Sequence, residues 1–482
     1  MSEESVSIRK FQERDISNKV RWINDENNNR YLHYELPLEE DKTLTWFRGN
    51  RHRTDRYDAV IEWEGRPVGI IGLLSIAGGQ AEYYITMGEQ NAKGRGIAKR
   101  ASILLLEYAF DKLDLRRVYL YTEVENGAAQ RLFERCGFTR TGLETNSALN
   151  RGKPVDRYRY EISRAAFYHL SDLEVEPTPI LPLENGRNRI YIKRDDLIPF
   201  SFGGNKARKA VLYFREIDAG DYDTVVTYGS SSSNHCRVVA NMAAARGLSC
   251  FIIGPEEASH PTTNSKMMEL FGAEITIVPV SLVHDTIEEK LQTLRDAGRK
   301  PYFIAGGGHG NPGTQAYVNC YEEIRDYERQ TGIYFDYIFF ASGTGTTQAG
   351  LVCGQLLAGD ERQIVGISIA RKNPRGRQVV LESIEQYLNA EKAACTAEEI
   401  ERATIFDDSC TGEGYGQSSE TVTQTIHRML LCHGIPMDST YTAKAYTGML
   451  SYLSEREIVG KNVLFIHTGG TPLFFDNLTE IG

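Results

Sequence analysis

The sequence lacks the features that mark secreted, membrane-spanning and metal-binding proteins. Its start, MSEESVSIRKFQERD, has no apolar core, so we expect no signal peptide. No apolar run approaches the length of a membrane span. The eight cysteines are scattered and form no CxxC pair, which argues against a disulfide framework or a zinc site. These absences predict a cytoplasmic protein with no metal site and no membrane partner.

The charge argues against a further class of partner. The formal net charge is −10, which does not suit wholesale binding of nucleic acid. At 482 residues the chain is too long for one ordinary domain, and its 41% hydrophobic and 25% charged residues are normal for a globular protein. We therefore expect two or three globular domains that act on small molecules.

Residues 5–165 have the pattern of one mixed α/β unit. The segments VSIRKF, AEYYITMG and RRVYLYTEV predict strands, and DAVIEWEGRPVGIIGLLSI predicts two strands joined by an EGRP turn. GEQNAKGRGIAKRASILLLEYAF predicts a glycine-bearing loop that enters an apolar helix. GAAQRLFERCGF predicts a short helix that ends at Gly137.

The loop before the apolar helix has the composition of an anion site. Gly94 and Gly96 let the backbone bend, and the first N–H groups of a helix lack partners within the helix. Four basic residues add positive charge: Lys93, Arg95, Lys99 and Arg100. A lone GxG would indicate only a tight turn, but the following strand and NGAAQRLFERCGF make the combination more specific. Together these segments resemble the GNAT acyl-CoA N-acetyltransferases over residues 5–165.

The GNAT resemblance implies acetyl-CoA as a cofactor. It implies that the CoA pyrophosphate is held by Lys93, Gly94, Arg95, Gly96 and Ile97, and that Asn126 lies near the pantetheine arm. The segments KFQERDISNKVRWINDENNNRYL, AEYYITMGE and VYLYTEVENGAAQRLF resemble most closely the acetyltransferases of pseudaminic acid synthesis. Those enzymes acetylate the amino group of 4-amino-sugar nucleotides.

Two departures from the GNAT pattern bear on acetyl transfer. Asn91 stands where the pyrophosphate loop usually opens with Gln or Arg. Phe133 stands in place of the tyrosine that often protonates the leaving thiolate, and phenylalanine has no proton to donate. Glu82 and Glu123 are candidate general bases, directly or through water. The alternative interpretation of each is a solvated carboxylate at a strand end.

Acidic and proline residues cluster in FYHLSDLEVEPTPILPL, which predicts a domain boundary. We expect an acetyltransferase domain over 1–165, a linker over 166–180 and a second domain over 181–482. In the second domain, segments such as DTVVTYG, LSCFIIG, YIFFASG and NVLFIHTGG predict strands that alternate with helices. Such alternation predicts an α/β fold with parallel sheets covered on both faces.

The second domain is organised around SFGGNKARK, residues 201–209. Lys206 follows two glycines and an asparagine and precedes a predicted helix, ARKAVLYFREI. Glycines let the backbone approach a ligand, and a lysine fixed at such a bend can form a Schiff base with an aldehyde cofactor. Taken alone, the stretch would predict only a turn with a surface lysine.

Three other segments place polar groups at the ends of predicted strands. In GSSSSNHCR, residues 229–237, the polar groups suit a carboxylate, although a serine-rich turn is the simpler interpretation. In FIHTGGTP, residues 465–472, Thr468 lies at the strand tip. In ASGTGTTQAGL, residues 341–351, glycines let the backbone wrap a phosphate and threonines supply hydroxyls. The candidate residues of the first and third segments are Ser233, Asn234, His235, Gly343, Thr344, Gly345, Thr346 and Thr347.

With IYIKRDDL, GEGYG and STYTAKAYTGM, these segments resemble the fold-type II pyridoxal-phosphate enzymes over residues 175–482. The match is closest to the family of 1-aminocyclopropane-1-carboxylate deaminase and D-cysteine desulfhydrase. The resemblance implies a homodimer, with Lys206 as the Schiff-base lysine and Asn234 bonded to the cofactor 3′-oxygen. It implies further contacts to substrate, ring and phosphate from Ser233, His235, Tyr415, Tyr441, Thr344, Gly345, Thr346 and Thr347.

Thr442 helps to choose a reaction within that family. In the deaminase a glutamate follows the second tyrosine and pairs with the pyridine nitrogen, whereas Thr442 follows Tyr441 here, as in the desulfhydrase. A hydroxyl supports the ring as an electron sink only weakly. This disfavours opening of a cyclopropane and favours β-elimination, as from D-cysteine. Ser232 and Gln348 replace the desulfhydrase's Gln and His, which indicates an altered substrate pocket.

The leading hypothesis is therefore a bifunctional enzyme of amino acid metabolism. It joins an acetyl-CoA-dependent N-acetyltransferase for an amino sugar nucleotide or an amino acid to a pyridoxal-phosphate-dependent lyase. In a second hypothesis the lyase domain racemises, replaces at Cβ or opens a cyclopropane, and the GNAT domain acetylates the product. In a third hypothesis the GNAT module only binds acyl-CoA.

Overall fold

A computed structural model of the chain describes residues 5–170, 172–220, 222–411, 419–476 and 478. The chain divides into two compact units, Met1–Asp172 and Leu173–Gly482. The division falls inside the expected linker at 166–180, and the expected bounds 1–165 and 181–482 stay a prediction. Among the described helices, none combines the length and apolar character that a membrane crossing needs. Within the same ranges, no group of three His, Cys, Asp or Glu residues could hold a metal ion.

The first unit is built on a seven-stranded sheet with the order β1-β2-β3-β4-β5-β7-β6. All neighbouring strands are antiparallel except β4 and β5, which are parallel. The elements are β1 (Val6–Lys10), α1 (Ile16–Asn24), α2 (Glu26–Asn29), α3 (Glu40–Asn50), β2 (Tyr57–Trp63), β3 (Arg66–Ala77), β4 (Gln80–Met87), α4 (Ile97–Asp111), β5 (Arg117–Glu123), α5 (Gly127–Arg135), β6 (Thr139–Asn150), β7 (Lys153–Ser163) and α6 (Arg164–Phe167).

Helix α4 supplies one face of the first unit's core. Ile97, Ala101, Leu105 and Ala109 recur every four residues along one helix face and are fully buried. They pack with buried residues of the sheet such as Ile71. This packing fixes the start of α4 beside the end of β4, where the glycine-bearing loop lies.

The second unit contains two sheets. One has the order β12-β11-β10-β13 and is wholly parallel; the other has the order β16-β15-β14-β17-β9-β8 and is parallel except for β8 with β9. The predicted α/β class with parallel sheets is confirmed. The polar segments around residues 229, 343 and 468 each follow the carboxyl end of a parallel strand, which is where such folds place their sites.

The elements of the second unit run as follows in chain order. They are β8 (Ile180–Asn185), β9 (Arg189–Lys193), α7 (Asn205–Ala219), β10 (Thr224–Tyr228), α8 (Asn234–Ala245), β11 (Ser249–Pro255), α9 (Thr263–Leu270), β12 (Glu274–Val278), α10 (Val283–Asp296), β13 (Pro301–Ile304), α11 (Asn311–Thr331), β14 (Tyr337–Ser342), α12 (Thr346–Ala358), β15 (Gln363–Ser368), α13 (Arg375–Ala390), α14 (Ala397–Ala403), β16 (Ile405–Asp407), α15 (Glu420–His433), α16 (Thr442–Glu455), β17 (Asn462–Ile466) and α17 (Thr471–Asp476).

A buried charge cluster ties α7 to the end of β9 and to α11. Both oxygens of Asp195 accept hydrogen bonds from Arg208 on α7, at 2.8 and 3.1 Å, and Tyr317 on α11 donates to the same carboxylate at 2.8 Å. Glu323 pairs with Arg208 and, at 2.7 Å, with Lys193. Two cations and two carboxylates therefore neutralise each other inside the protein, as buried charges must.

The cluster also lowers the pKa of Asp195. Burial would raise the pKa of Asp195, but Arg208 and Lys193 beside it hold that pKa at about 2. Because the folded value lies below the ordinary carboxyl pKa of about 3.9, the stabilisation is complete above that pH. It is lost as the pH falls through about 2.

Asp195→Asn is expected to lower the free energy of unfolding of the second unit by about 3 kcal/mol or more, because breaking a buried pair leaves a charge without its partner. Urea unfolding followed by far-UV circular dichroism should show an earlier transition. The unfolding transition followed by tryptophan fluorescence should not shift. The only tryptophans of the chain are Trp22, Trp46 and Trp63, and all three lie in the first unit.

The matched control is Asp326→Asn, which removes an exposed ion pair with Arg329 on α11. It should change stability by less than about 1 kcal/mol. Equal shifts in the two variants would contradict a structural role for the buried cluster.

Candidate active sites

The bend before Lys206 is possible only with glycine. Ser201, Phe202, Gly203 and Gly204 all have positive φ, from 47 to 91°. A Cβ on Gly203 would overlap the carbonyl of Asp196, and one on Gly204 would lie 2.7 Å from a backbone oxygen of residue 468. Two backbone hydrogen bonds hold the bend, from Gly204 N to the oxygen of residue 195 and from Asn205 N to that of residue 468. Helix α7 consequently starts with Lys206 in its first turn.

The ε-amine of Lys206 lies in a cavity of about 270 Å³. Its Nζ donates to the carbonyl of Gly307 at 2.8 Å. Burial lowers the pKa of Lys206 to about 8, so a substantial fraction of the amine is neutral near that pH. A neutral, partly enclosed lysine amine can act as a nucleophile towards an aldehyde.

Most of the predicted residues of the second unit share this cavity. Those that line it are Lys206, Ser233, Asn234, His235, Gly343, Thr344, Gly345, Thr347, Tyr441 and Thr468. Thr346 and Thr442 are not among the described lining residues. Tyr415 lies in 412–418, outside the described residues. Residues from separate segments of the sequence therefore meet in one cavity.

One end of the cavity is the start of α12. Gly345 has φ of 103°, and the helix begins at Thr346, so its first N–H groups have no carbonyl partner within the helix. Asn205 donates to Thr347 Oγ1 at 3.1 Å, which links this loop to the lysine helix. A helix start at one end and Lys206 in the same cavity suit a molecule that carries both a phosphate and an aldehyde.

Lys209 is a neighbouring residue that the sequence analysis did not single out. Its Nζ donates to Thr346 Oγ1 at 2.8 Å, and Thr346 Oγ1 donates to the Gly308 carbonyl at 3.3 Å. Burial, and then the charge of Lys206, hold the pKa of Lys209 well below its usual value. The available signal was the spacing of three residues from Lys206, which places both lysines on one helix face.

Hydrogen bonds at the start of α8 define donors and acceptors in the cavity. The Thr227 hydroxyl donates to the Ile304 carbonyl at 2.7 Å, so it accepts from Nε2–H of His235 at 2.9 Å. Nδ1 of His235 is then an acceptor. Burial, and then Lys206 and Lys209, hold the pKa of His235 well below its usual range, so the ring is neutral.

Asn234 is oriented by a buried asparagine. Asn264 Nδ2 donates to Asn234 Oδ1 at 2.9 Å and to the Ser232 carbonyl at 3.0 Å. Because Oδ1 is engaged, Asn234 presents Nδ2 as its donor. Ser233 caps α8 by accepting from the Cys236 N–H at 3.1 Å.

The Thr442 hydroxyl is directed at a buried carboxylate. It donates to Asp438 Oδ1 at 2.8 Å and accepts from the Asp438 N–H at 3.0 Å. Burial raises the pKa of Asp438, although the N–H groups of Tyr441 and Thr442 also donate to it. Thr442 therefore fixes the start of α16, and its expected contact with the pyridine nitrogen stays a prediction.

The first unit has a larger cavity, of about 1030 Å³, where β4 and β5 diverge. The register between them ends at Glu82 and Tyr119, although β4 continues to Met87 and β5 to Glu123. Backbone groups beyond that point face the gap. Of the residues predicted for CoA, those that line the cavity are Lys93, Gly94, Gly96, Ile97 and Asn126.

The Arg95 side chain contacts Asn91 and Trp63. Its Nε donates to the Asn91 carbonyl at 2.9 Å, and its guanidinium lies 5.2 Å from the centre of the Trp63 ring. It is not among the described lining residues, so its contact with pyrophosphate stays a prediction. The loop itself has the expected form, because Gly96 has φ of 78° and immediately precedes α4.

Both predicted carboxylates and one further residue meet in the first unit's cavity. Glu82 lies at the last paired position of β4, and burial raises its pKa. Glu123 accepts from His33 Nε2 at 2.8 Å and from Asn150 Nδ2 at 2.5 Å. The sequence analysis did not identify His33, because its loop shows no periodic pattern. The lone pair on Nδ1 of His33 makes it a candidate base. Phe133 also lines the cavity.

The fold agrees with comparisons to known families. Residues 172–469 match the model of the pyridoxal-phosphate dependent enzymes, and the chain belongs to that family. Residues 5–139 match the acetyltransferase (GNAT) domain, so the first unit is a GNAT domain. Pyridoxal phosphate and acetyl-CoA are the cofactors that these matches imply.

Three relatives are similar to parts of the chain. The 1-aminocyclopropane-1-carboxylate deaminase of Ralstonia nicotianae is 31% identical over 314 residues, which cover 61% of this chain and 92% of that protein. A crystal structure of an ACC deaminase homologue is 30% identical, with a TM-score of 0.57 over 64% of this chain and 94% of the other. A spermidine N-acetyltransferase from Vibrio cholerae, solved with CoA and spermine, is 25% identical, with a TM-score of 0.32 over 34% of this chain and 98% of the other. The finer resemblance to pseudaminic acid enzymes stays a prediction.

Covalent uptake of pyridoxal phosphate by the apoprotein is expected to accelerate with pH and to level off above about 8. The neutral amine is the reactive form, and the pKa of Lys206 is about 8. An ordinary lysine, with a pKa of about 10.4, would still accelerate well above that pH. The rate is measured by the growth of the visible absorbance band.

Lys206→Ala should lose the band and the borohydride-stable adduct. Lys209→Met, which leaves Lys206 in place, should keep the adduct but bind the cofactor more weakly. The same adduct stoichiometry in Lys206→Ala would show that another lysine is the attachment site.

Gly96→Asp is expected to weaken acetyl-CoA binding by at least about tenfold, because it adds a negative charge where a helix start faces the pyrophosphate. A Cβ there meets no protein atom, but the positive φ adds backbone strain. Gly78→Asp is the control, since Gly78 has φ of 57° with open space around it and does not line the cavity. Calorimetric titration should show the loss in Gly96→Asp alone; equal losses would implicate strain instead.

Proposed function

We propose that the chain is a bifunctional enzyme. Its second unit eliminates a Cβ substituent from a small amino acid such as D-cysteine, with pyridoxal phosphate as cofactor. Its first unit transfers an acetyl group from acetyl-CoA to an amine. A cytoplasmic location, a role in amino acid metabolism and a homodimer belong to the same proposal.

One observation carries the choice of elimination. No aspartate or glutamate is among the described residues that line the Lys206 cavity, and Thr442 is engaged by Asp438. Pyridoxal phosphate, when bound, supplies an electron sink for charge that develops at Cα, and a carboxylate beside its ring nitrogen would strengthen that sink. Because the described lining lacks that carboxylate, it supports loss of a good leaving group over opening of a cyclopropane, the reaction in the names of the deaminase relatives.

The residues of the cavity would have different roles in this reaction. Nζ of Lys206 would hold the cofactor and later accept the Cα proton, a task that its lowered pKa of about 8 suits. Asn234 Nδ2 would donate to the 3′-oxygen. Nδ1 of His235 is an acceptor, so it would bind a substrate N–H or S–H group rather than the carboxylate. Ser233 and Tyr441 would contact the substrate.

The phosphate would lie at the start of α12. Thr344, Gly345 and Thr347 line the cavity there, and the first N–H groups of α12 have no carbonyl partner within the helix. Lys209, behind Thr346, supplies a nearby amine, and a bound phosphate would favour its protonated form. Tyr415, which the described residues do not include, would complete the site in the same proposal.

In the first unit, His33 and Glu123 support acetyl transfer. The Glu123 carboxylate can only accept, so it holds the proton of His33 on Nε2 and leaves Nδ1 as the base. The amine nitrogen would bond to the acetyl carbon as the carbon–sulfur bond breaks, and Nδ1 of His33 would accept the proton of the nitrogen and pass it to the departing thiolate. Glu82, whose raised pKa makes it a stronger base, would assist through water.

The purified protein is expected to form pyruvate from β-chloro-D-alanine and from D-cysteine, and little 2-oxobutanoate from 1-aminocyclopropane-1-carboxylate. Loss of chloride or a thiol from Cβ needs less electron withdrawal by the cofactor ring than opening of a cyclopropane. The described lining residues provide no carboxylate to strengthen that withdrawal. Keto acids are measured with lactate dehydrogenase and by chromatography, with L-cysteine as the stereochemical comparison.

Lys206→Ala should abolish keto acid formation, whereas Gly96→Asp, which alters only the acetyl-CoA loop, should leave it unchanged. Rapid 2-oxobutanoate formation with no elimination from either D-amino acid would refute the elimination proposal. It would favour the deaminase reaction instead.

A further inference from the structure

The cavity of the first unit extends over β2, well beyond the gap between β4 and β5. Asp58 on β2, Gly72 on β3 and Tyr84 on β4 lie in one row across the sheet. A Cβ on Gly72 would lie 2.6 Å from the Tyr84 ring, so the glycine lets Tyr84 cross the sheet. Its hydroxyl donates to Asp58 at 2.6 Å. The end of the cavity at Asp58 on β2 therefore lies two strand spacings, roughly 10 Å, from β4.

Lys19 on α1 supplies a buried cation to this end. Its side chain is 6% exposed and lines the cavity. The ammonium lies 3.3 Å from the centre of the Trp46 ring, and among the described residues it has no hydrogen-bond acceptor. Burial lowers the pKa of Lys19 to about 8. An aromatic ring compensates such a cation only in part.

The neighbouring carboxylate is already engaged. Arg56 donates to both oxygens of Asp58, at 2.7 and 2.8 Å, and the third donor is Tyr84. Lys19, Arg56 and Asp58 together leave one positive charge in excess. A buried cation without a matching anion is costly, and a ligand that brings the anion would remove that cost.

From this geometry we infer that the acceptor of the acetyl group is an amine that carries its own anionic group, held by Lys19 on Trp46. The inference rests on the proposed acetyl transfer and names its substrate class. The anionic group is a carboxylate, as in an amino acid, or a phosphate, as in an amino sugar nucleotide.

One loop connects the anion site to the transfer centre. His33 reaches Glu123 at the end of β5, and the next residue, Tyr34, lines the same cavity as Asp58. Burial, and then the charge of Asp58, raise the pKa of Tyr34. Consecutive Cα atoms are only about 3.8 Å apart. Lys19 and His33 both line this one cavity, so the anion and the amine of one molecule would share it.

The charge of the cavity also opposes a polycationic acceptor. Its described lining residues include eight lysines and arginines but three carboxylates, Asp58, Glu82 and Glu123. Asp58 is engaged by Arg56 and Tyr84, and Glu123 by His33 and Asn150. Little negative charge remains to bind a polyamine.

The test measures CoA release chromatographically with three kinds of amine: the common D- and L-amino acids, a UDP-linked 4-amino sugar, and spermidine. Wild-type protein should acetylate an anionic amine in preference to spermidine, and the responding arm shows whether a carboxylate or a phosphate is bound. Lys19→Met should raise the KM for that amine by about tenfold or more, since a charge-assisted contact is lost, with the KM for acetyl-CoA unchanged.

Two controls separate recognition from folding. Lys42→Met, at an exposed lysine paired with Glu39, should leave every constant unchanged. For the uncharged methyl ester of an accepted amino acid, or the dephosphorylated amino sugar, Lys19→Met should leave KM unchanged as well. A preference of wild-type protein for spermidine, or an equal loss for charged and uncharged amines, would overturn the inference.

A binding measurement keeps the inference testable if no amine is acetylated, an outcome that would refute acetyl transfer itself. Trp46 lies against Lys19, and all tryptophans are in the first unit. The same amino acids and UDP-linked sugar should then change tryptophan fluorescence saturably in wild-type protein and not in Lys19→Met. No saturable change in wild-type protein would overturn the anion site.

Discussion

The second unit depends on one backbone bend that only glycine allows. Gly203 and Gly204 press against the backbone of residues 196 and 468, so the strand end, the lysine helix and the loop after β17 meet without intervening side chains. The buried pair of Asp195 and Arg208 holds the same helix from its other side. The backbone of Lys206 is therefore positioned by contacts of the neighbouring residues, while its side-chain Nζ donates to the Gly307 carbonyl. Such support lets a reactive side chain remain accessible while its backbone is fixed.

The sequence predicted the backbone of both sites well. Strand and helix alternation, and glycines at strand ends, are local signals, and parallel strands bring their carboxyl ends together without further information. Ten predicted residues consequently line the Lys206 cavity. The loop at Gly96 likewise precedes α4 with the left-handed conformation that its glycine suggested.

Side-chain direction was much harder to predict. Thr442 is directed at Asp438, four residues earlier, and Arg95 at Trp63, about thirty residues earlier, because those partners satisfy them better than a cavity does. His33 and Lys209 act only through tertiary neighbours, so no pattern in their own segments marks them. The sequence specifies which backbone lies at a site, whereas the competition among buried polar partners decides which side chains face it.

That competition distinguishes two sets of buried cations. Lys193, Arg208 and Arg246 each lie against a carboxylate, and such balanced charges hold elements together. Lys206, Lys209 and Lys19 instead meet a carbonyl, a hydroxyl and an aromatic ring, and burial lowers the pKa of all three. Each of these three lysines lies in or beside a cavity. Burying a lysine without a carboxylate partner costs free energy, and for these three lysines a ligand that supplies the missing interaction would offset that cost.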